Sequence, residues 1–144
     1  MSNSTARDII AEFIRCCDVA ASGGNADPYA LLADNVSVMV NGTTPLSGHF
    51  PGLNIVKAVL VDTAKDRVKR ANVSLVEFVG TGQRVAALLK LTAETVDNKI
   101  YNENGDSCGC VFEVKDGKIT EILFFPDTTL IETVLYNRRY VPNQ

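Results

Sequence analysis

A single histidine and four cysteines in 144 residues leave this chain poor in metal ligands. Zinc takes about four nitrogen or sulfur ligands, and the nearest approach to a metal-finger spacing, Cys108-Gly109-Cys110, is not one. No metal and no cofactor is expected. Basic runs are lacking too: none exceeds Arg138-Arg139, and the net charge is -3 with both signs interspersed. That excludes the electrostatic footprint of a nucleic-acid binder. The longest apolar runs, such as Val85 to Leu91 with Lys90 inside it, fall far short of the roughly 20 residues that cross a bilayer. No membrane partner is expected. The opening Met1-Ser2-Asn3-Ser4-Thr5 lacks the basic and apolar segments of a signal peptide, so the expected location is a reducing cytoplasm, with the cysteines as thiols. Internal repeats and low-complexity segments are absent, and Gly80-Thr81-Gly82 reads as a hairpin turn rather than a phosphate cradle because no helix follows it.

What is present is a legible order of elements. The length suits a single domain spanning 1–144. A first helix starts after Ser4 or Thr5, with Ile9, Ile10, Phe13, Ile14, Cys17, Ala20 and Ala21 at helical spacing, and ends at Gly23-Gly24-Asn25. Cys17 falls on its core side and Cys16 on the other. Asp27-Pro28 pairs a cap with a proline at the first helical position and opens a short helix through Leu32. Val36, Val38 and Val40 alternate as a strand, and Thr43 to Gly52 reads as an irregular loop rich in Gly and Pro. A third helix over Leu53 to Asp62 carries the stripe Leu53, Val56, Val59 and Leu60. Two-residue alternation follows, through Val73, Leu75 and Val79 and then Val85, Ala87, Leu89 and Leu91. A bent or bulged strand over Lys99 to Lys115 comes next. Asp116-Gly117 then joins Cys108–Lys115 to Ile119–Phe125 as a tight hairpin, since glycine accepts the positive φ of a primed turn. Asp127 caps a closing helix, and Tyr140 to Gln144 reads as a loose tail.

Leu31-Leu32-Ala33-Asp34-Asn35-Val36, Pro45-Leu46-Ser47-Gly48 with Gly52, Asp116-Gly117-Lys118-Ile119 and Phe125-Pro126-Asp127-Thr128 follow one another in an order and spacing that cover nearly the whole chain. In these motifs the chain resembles the SnoaL-like and ketosteroid-isomerase-like families of the nuclear transport factor 2 superfamily. The resemblance implies a cystatin-like α+β cone, a curved antiparallel sheet wrapped around N-terminal helices with a pocket at its open end, and a homodimer made through the outer face of the sheet. It also implies a spread of chemistries on one scaffold, from isomerases, cyclases, dehydratases and hydrolases to pure binding modules. Where a ketosteroid isomerase pattern wants a tyrosine, an aspartate and a further acid, this chain has Phe13, Val40 or Asn41, and Cys110. A SnoaL-type cyclase would want a histidine near Cys110, and that is missing too.

Strand parity puts Asp106 with Cys108, Cys110 and Phe112 on one face, pointing Asp106 toward the mouth of the cone unless a bulge near Gly105 reverses it. A carboxylate in a partly apolar pocket can exchange protons near neutral pH; the same residue also reads as a solvated turn position after Asn104-Gly105. Asp127, where the last strand leaves the sheet, is a pocket acid, a helix N-cap, or both. His49, in a loop bordering the pocket, either assists proton transfer or is a plain surface residue. Glu121 is a weaker candidate, grouped by alternation with Ile119 and Leu123. The candidate pocket lining is Phe13, Cys17, Val38, Val40, Phe50, Cys108, Cys110, Phe112 and Phe125, with the cysteines also readable as small packing residues. Two functions stand open: a cofactor-free enzyme using His49, Asp106 or Asp127 on a small, mostly apolar molecule, and a non-catalytic binding protein of the same fold.

Overall fold

The computed structural model describes residues 5–139; the expected loose tail from Tyr140 lies outside them. The first helix, α1 (Ala6–Ala21), begins with a capping box: Thr5 Oγ1 accepts from the Asp8 amide at 3.2 Å and Asp8 Oδ2 accepts from the Thr5 amide at 3.1 Å. Asp27 caps a single 3-10 turn, Pro28–Leu31, and the chain is already in strand β1 (Leu32–Val40) at the point where the sequence suggested helix. The Gly- and Pro-rich stretch holds a strand after all: β2 (Gly48–Pro51) pairs antiparallel with β1, Val38 opposite Phe50 and Met39 opposite His49.

The third helix is α2 (Leu53–Ile55), a π-helical run over Val56–Val61, and α3 (Asp62–Lys65). Its wider turn breaks the expected 3.6-residue stripe. Val56 is buried and Leu60, Val61 and Ala64 reach hydrophobic clusters, whereas Val59 turns out to solvent.

Strands β3 (Val68–Val79), β4 (Arg84–Thr95), β6 (Ser107–Lys115) and β7 (Lys118–Phe125) form the antiparallel meander, with the short β5 (Ile100–Tyr101) paired to the end of β4. The single bent strand expected from Lys99 is therefore two strands, parted by a turn at Asn102–Gly105. At the hairpin tip Asp116 and Gly117 have φ of 51° and 77°, both in the left-handed region that a primed turn requires. The sheet runs β2-β1-β7-β6-β4-β3, with β1 and β7 parallel. It curls around α1, which packs against β3, β4, β6 and β7. This is the α+β cone.

The main core joins Ile9, Ile10 and Ile14 of α1 to the inner face of the sheet, where Val36, Val85, Phe112 and Ile119 are essentially sealed from water. Each such side chain contributes about 1.5–3 kcal/mol by leaving water. Asp18 ties the end of α1 to β3 by accepting from the Val73 amide at 2.9 Å. A second cluster, Leu46, Tyr101, Ile131 and Leu135, seats the C-terminal helical segment against the start of β3 and the end of β4. That segment is α4 (Thr128–Leu130) followed by a π-helical run over Ile131–Leu135.

Two irregular registers change which side chains face inward. Between Leu75 and Glu77 the β3 register slips, so Phe78 packs on the core and Val79, expected inside, is 57% exposed. Between Glu113 and Val114 the β6–β7 register slips as well. Ile122 and Phe124 therefore face inward, and Glu121 faces outward beside Arg84 at 3.3 Å. The outer face then carries one row in register across five strands: Met39, Leu123, Val111, Ala86 and Val79. A polar row of Ser37, Glu121, Glu113 and Arg84 borders it on one side.

Candidate functional site

A concavity of about 280 Å³ lies where β6 begins and β7 ends, lined by Leu91, Tyr101, Asn102, Asp106 to Gly109, Phe125, Pro126 and Asp127. It brings together two of the three acid/base candidates. Asp106 is held at the rim by a clamp from Asn102, a buried amide whose Oδ1 accepts from the Asp106 amide at 3.1 Å. The Asn102 Nδ2 donates to the carbonyls of Asp106 at 2.8 Å and Leu91 at 2.9 Å. Asn102 does this from a left-handed backbone, φ 59°, a conformation asparagine tolerates better than most residues. Asp127 lines the same concavity. Its Oδ1 accepts from the Leu130 amide at 3.1 Å, so it caps the C-terminal helical segment while lining the concavity. The two roles coexist.

His49 is not there. With β2 formed, strand alternation gives Phe50 the inner face and turns His49 outward beside Met39, where its Nε2 meets the Ser37 hydroxyl at 2.7 Å. The loop expected to carry it to the pocket does not exist at that position.

The pocket lining divides as well. Cys108 and Phe125 border the concavity. Phe125 does so from the outer side of the sheet and is 45% exposed, because the β7 register gives the inner position to Phe124. Phe13, Val38, Val40, Phe50, Cys110 and Phe112 are packed into the main core instead, Phe13 edge-on to Phe112 at 6.1 Å. Cys17 is half-buried; burial, then the neighbouring Cys16, pushes its thiol up to about 12. Burial, then Cys108 and Cys17, pushes the Cys110 thiol up as well. Cys16, expected to face away, is only 7% exposed because Glu12 and Arg15 fold over its sulfur, each at 3.6 Å. Such protonated thiols are weak nucleophiles. Among the described residues no group of three His, Cys, Asp or Glu side chains could hold a metal ion.

The sequence reading did not single out Tyr101. It is 5% exposed, lines the concavity, and has no hydrogen-bond partner for its phenol among the described residues. Burial, then Cys108 and Asp127, makes its phenol a weaker acid than an ordinary one, so the hydroxyl stays protonated and can donate. The only sequence signal for it was an aromatic residue on a two-residue strand ahead of the Asn102 turn. A second, more open depression is lined by Asp34 and Pro51 to Ile55 and contains none of the candidates.

The curled sheet with its helix inside is shared with solved structures at low sequence identity. An NTF2-like protein of unknown function from Burkholderia pseudomallei superposes with a TM-score of 0.75 at 17% identity, over 94% of this chain and 98% of that one. A proposed isomerase from Rhodopseudomonas palustris does so at 0.70 and 16% identity, over 96% and 100%. A proposed SnoaL-like polyketide cyclase from Jannaschia matches at 0.70 and 12% identity, over 96% and 98%. This chain has the NTF2-like fold. No family model and no curated protein matches it by sequence. Within the NTF2-like cone the inner positions Phe13, Val40 and Cys110 are all apolar packing here. The polar groups sit instead at the end of the sheet, on Tyr101, Asp106 and Asp127.

Proposed function

We propose that this NTF2-like chain is a cofactor-free enzyme moving protons on a small, mostly apolar molecule, in an isomerase, cyclase, dehydratase or hydrolase type of reaction. The observation that carries the reading is the convergence of two carboxylates and a protonated, unpartnered phenol on one concavity. An acid and a base facing the same substrate are what proton transfer needs. Asp106 or Asp127 takes a proton from carbon or oxygen. Tyr101 donates to the oxygen on which negative charge develops. The fold's occurrence in a proposed isomerase and a proposed cyclase is consistent with that class of reaction. Deuterium uptake at the α-carbon of small ketones, followed by NMR, tests it. The wild type is expected to exceed the buffer rate, and Asp106→Asn or Asp127→Asn to lose about 10²-fold or more of the excess. Uptake at the buffer rate across the panel, with binding retained, favours the second reading, a non-catalytic binding protein. The engagement of Asp127 as a helix cap is the observation on that side.

The molecule is further read as a homodimer through the row Met39, Leu123, Val111, Ala86 and Val79. Its exposed members, Met39 at 47% and Val79 at 57%, with half-buried neighbours between them, suit an interface core with a polar rim. A reducing compartment suits four unpaired thiols.

A further inference from the structure

The concavity lies where β7 leaves the sheet while β6 runs on. β7 stops at Phe125, opposite Gly109, and β6 extends past that pair to Ser107. Main-chain groups along an antiparallel strand turn to alternate sides, and the Val114 amide, which donates to the Gln83 carbonyl at 2.8 Å, shows which side each residue takes. The register with β4 is unbroken along β6, so Cys108, Cys110 and Phe112 address β4, and Ser107, Gly109, Val111 and Glu113 address β7. For Gly109, Val111 and Glu113 the neighbouring strand supplies a partner. Ser107 has none. The next position in register is Asp127, which has already left the strand to cap the closing helical segment, and Pro126 has no N–H to give. Among the described residues no hydrogen bond reaches the Ser107 amide or carbonyl. Both are turned into the wedge between β6 and the departing chain, where Ser107, Gly109, Phe125, Pro126 and Asp127 line the concavity.

We propose that this open rung of the ladder recognises one extended residue flanked by amides, an N-acylated amino-acid amide with an apolar side chain. Its N–H donates to the Ser107 carbonyl and its C=O accepts from the Ser107 amide. This rests on the concavity being the working site and adds the ligand class. A residue so placed continues the line of β7, so its side chain falls on the outer face, next to Phe125 and diagonal to Gly109. Phe125 is 45% exposed there, and a Cβ on Gly109 would meet no atom within 4 Å. An apolar ring and open space therefore await a branched aliphatic side chain. A volume of about 280 Å³ is near the lower end for small-molecule pockets, which admits one such residue but not a long peptide.

N-acetyl-L-leucinamide is the probe. Its ester analogue, with oxygen in place of the leucine N–H, keeps the shape but loses the donor and sets a lone pair against the Ser107 carbonyl. N-acetylglycinamide loses only the side chain. Titrations followed by the amide resonances of Ser107 and Gly109 give the three affinities. Leucinamide should move the Ser107 amide downfield as it gains an acceptor, and Gly109, already paired with Phe125, much less. The ester should bind on the order of tenfold more weakly for the lost hydrogen bond. Glycinamide should also be on the order of tenfold weaker, for the apolar area left in water. Gly109→Val fills the space beside Phe125 with a residue that strands accept, and should bring leucinamide down to glycinamide. Ester and amide binding alike would overturn the main-chain contact, and leucinamide and glycinamide binding alike the side-chain preference. Leucinamide that leaves the Ser107 amide unmoved overturns the whole proposal, whereas the proton-transfer reading stands or falls on ketone exchange, which is measured separately.

Discussion

Asp127 carries two duties, and two substitutions separate them. Its Oδ1 accepts from the Leu130 amide at 3.1 Å, capping the helical segment that holds Ile131 and Leu135 in the second cluster, and its other face borders the concavity. Asp127→Ala removes the cap and the charge together. A lost N-cap costs about 1 kcal/mol, within a range of roughly 0.5–2. For a domain of this size that corresponds to roughly 4 °C in Tm. Asp127→Asn keeps a capping oxygen and removes only the charge, so its Tm should stay within about 1 °C of the wild type. Scanning calorimetry measures the first quantity and α-proton exchange on small ketones the second. The expected pattern is a thermal loss in the alanine variant alone and an exchange loss in both. If the asparagine variant exchanges like the wild type while only the alanine variant is impaired, Asp127 is a cap and its part in the chemistry is refuted.

Other consequences follow from the packing. Phe112→Ala removes a ring that is 1% exposed and meets Phe13 edge-on, and should cost about 3–5 kcal/mol in urea unfolding; a loss under about 1 kcal/mol would contradict the core as described. Leu123→Lys places a charge mid-row on the outer face and should convert a dimer to a monomer in analytical ultracentrifugation; a wild type that sediments as a monomer would remove the interface altogether. The Cys17 thiol titrates near 9.0 when unfolded and at about 12 when folded. Above pH 9.0 the unfolded chain therefore loses this proton first, and stability falls with rising pH, by up to about 1.4 kcal/mol per pH unit. Unfolding curves on either side of that pH should show the slope, and Cys17→Ala should reduce it.

The parts legible in the sequence are those fixed by local chemistry. The cap at Thr5, Asp27 with Pro28, the Asp116-Gly117 turn and the Asp127 cap all formed as their residue types dictate. What stayed hidden depends on register. A strand as short as Gly48–Pro51 shows no period of its own and exists because β1 offers it an edge; once it forms, His49 is turned outward. The slip between Glu113 and Val114 reverses the parity of β7, which exchanges Phe125 for Phe124 on the inner face and sends Glu121 to Arg84. The π turns at Val56–Val61 exposed Val59 for the same reason, a period altered by a residue the sequence does not mark. That Asp106 and Asp127 would lie near the end of the sheet was readable from their places at strand ends. Tyr101 was not, since its burial comes from the C-terminal segment, some thirty residues on, folding over it.

The central claim is that Tyr101, Asp106 and Asp127 form one proton-transfer site, and Tyr101→Phe tests it most directly. The phenol has no partner among the described residues, so its removal should leave the fold and Tm unchanged. The account predicts that exchange of ketone α-protons falls about 10²-fold or more in this variant while its fold and Tm are retained. Exchange at the wild-type rate in a folded Tyr101→Phe protein would contradict it.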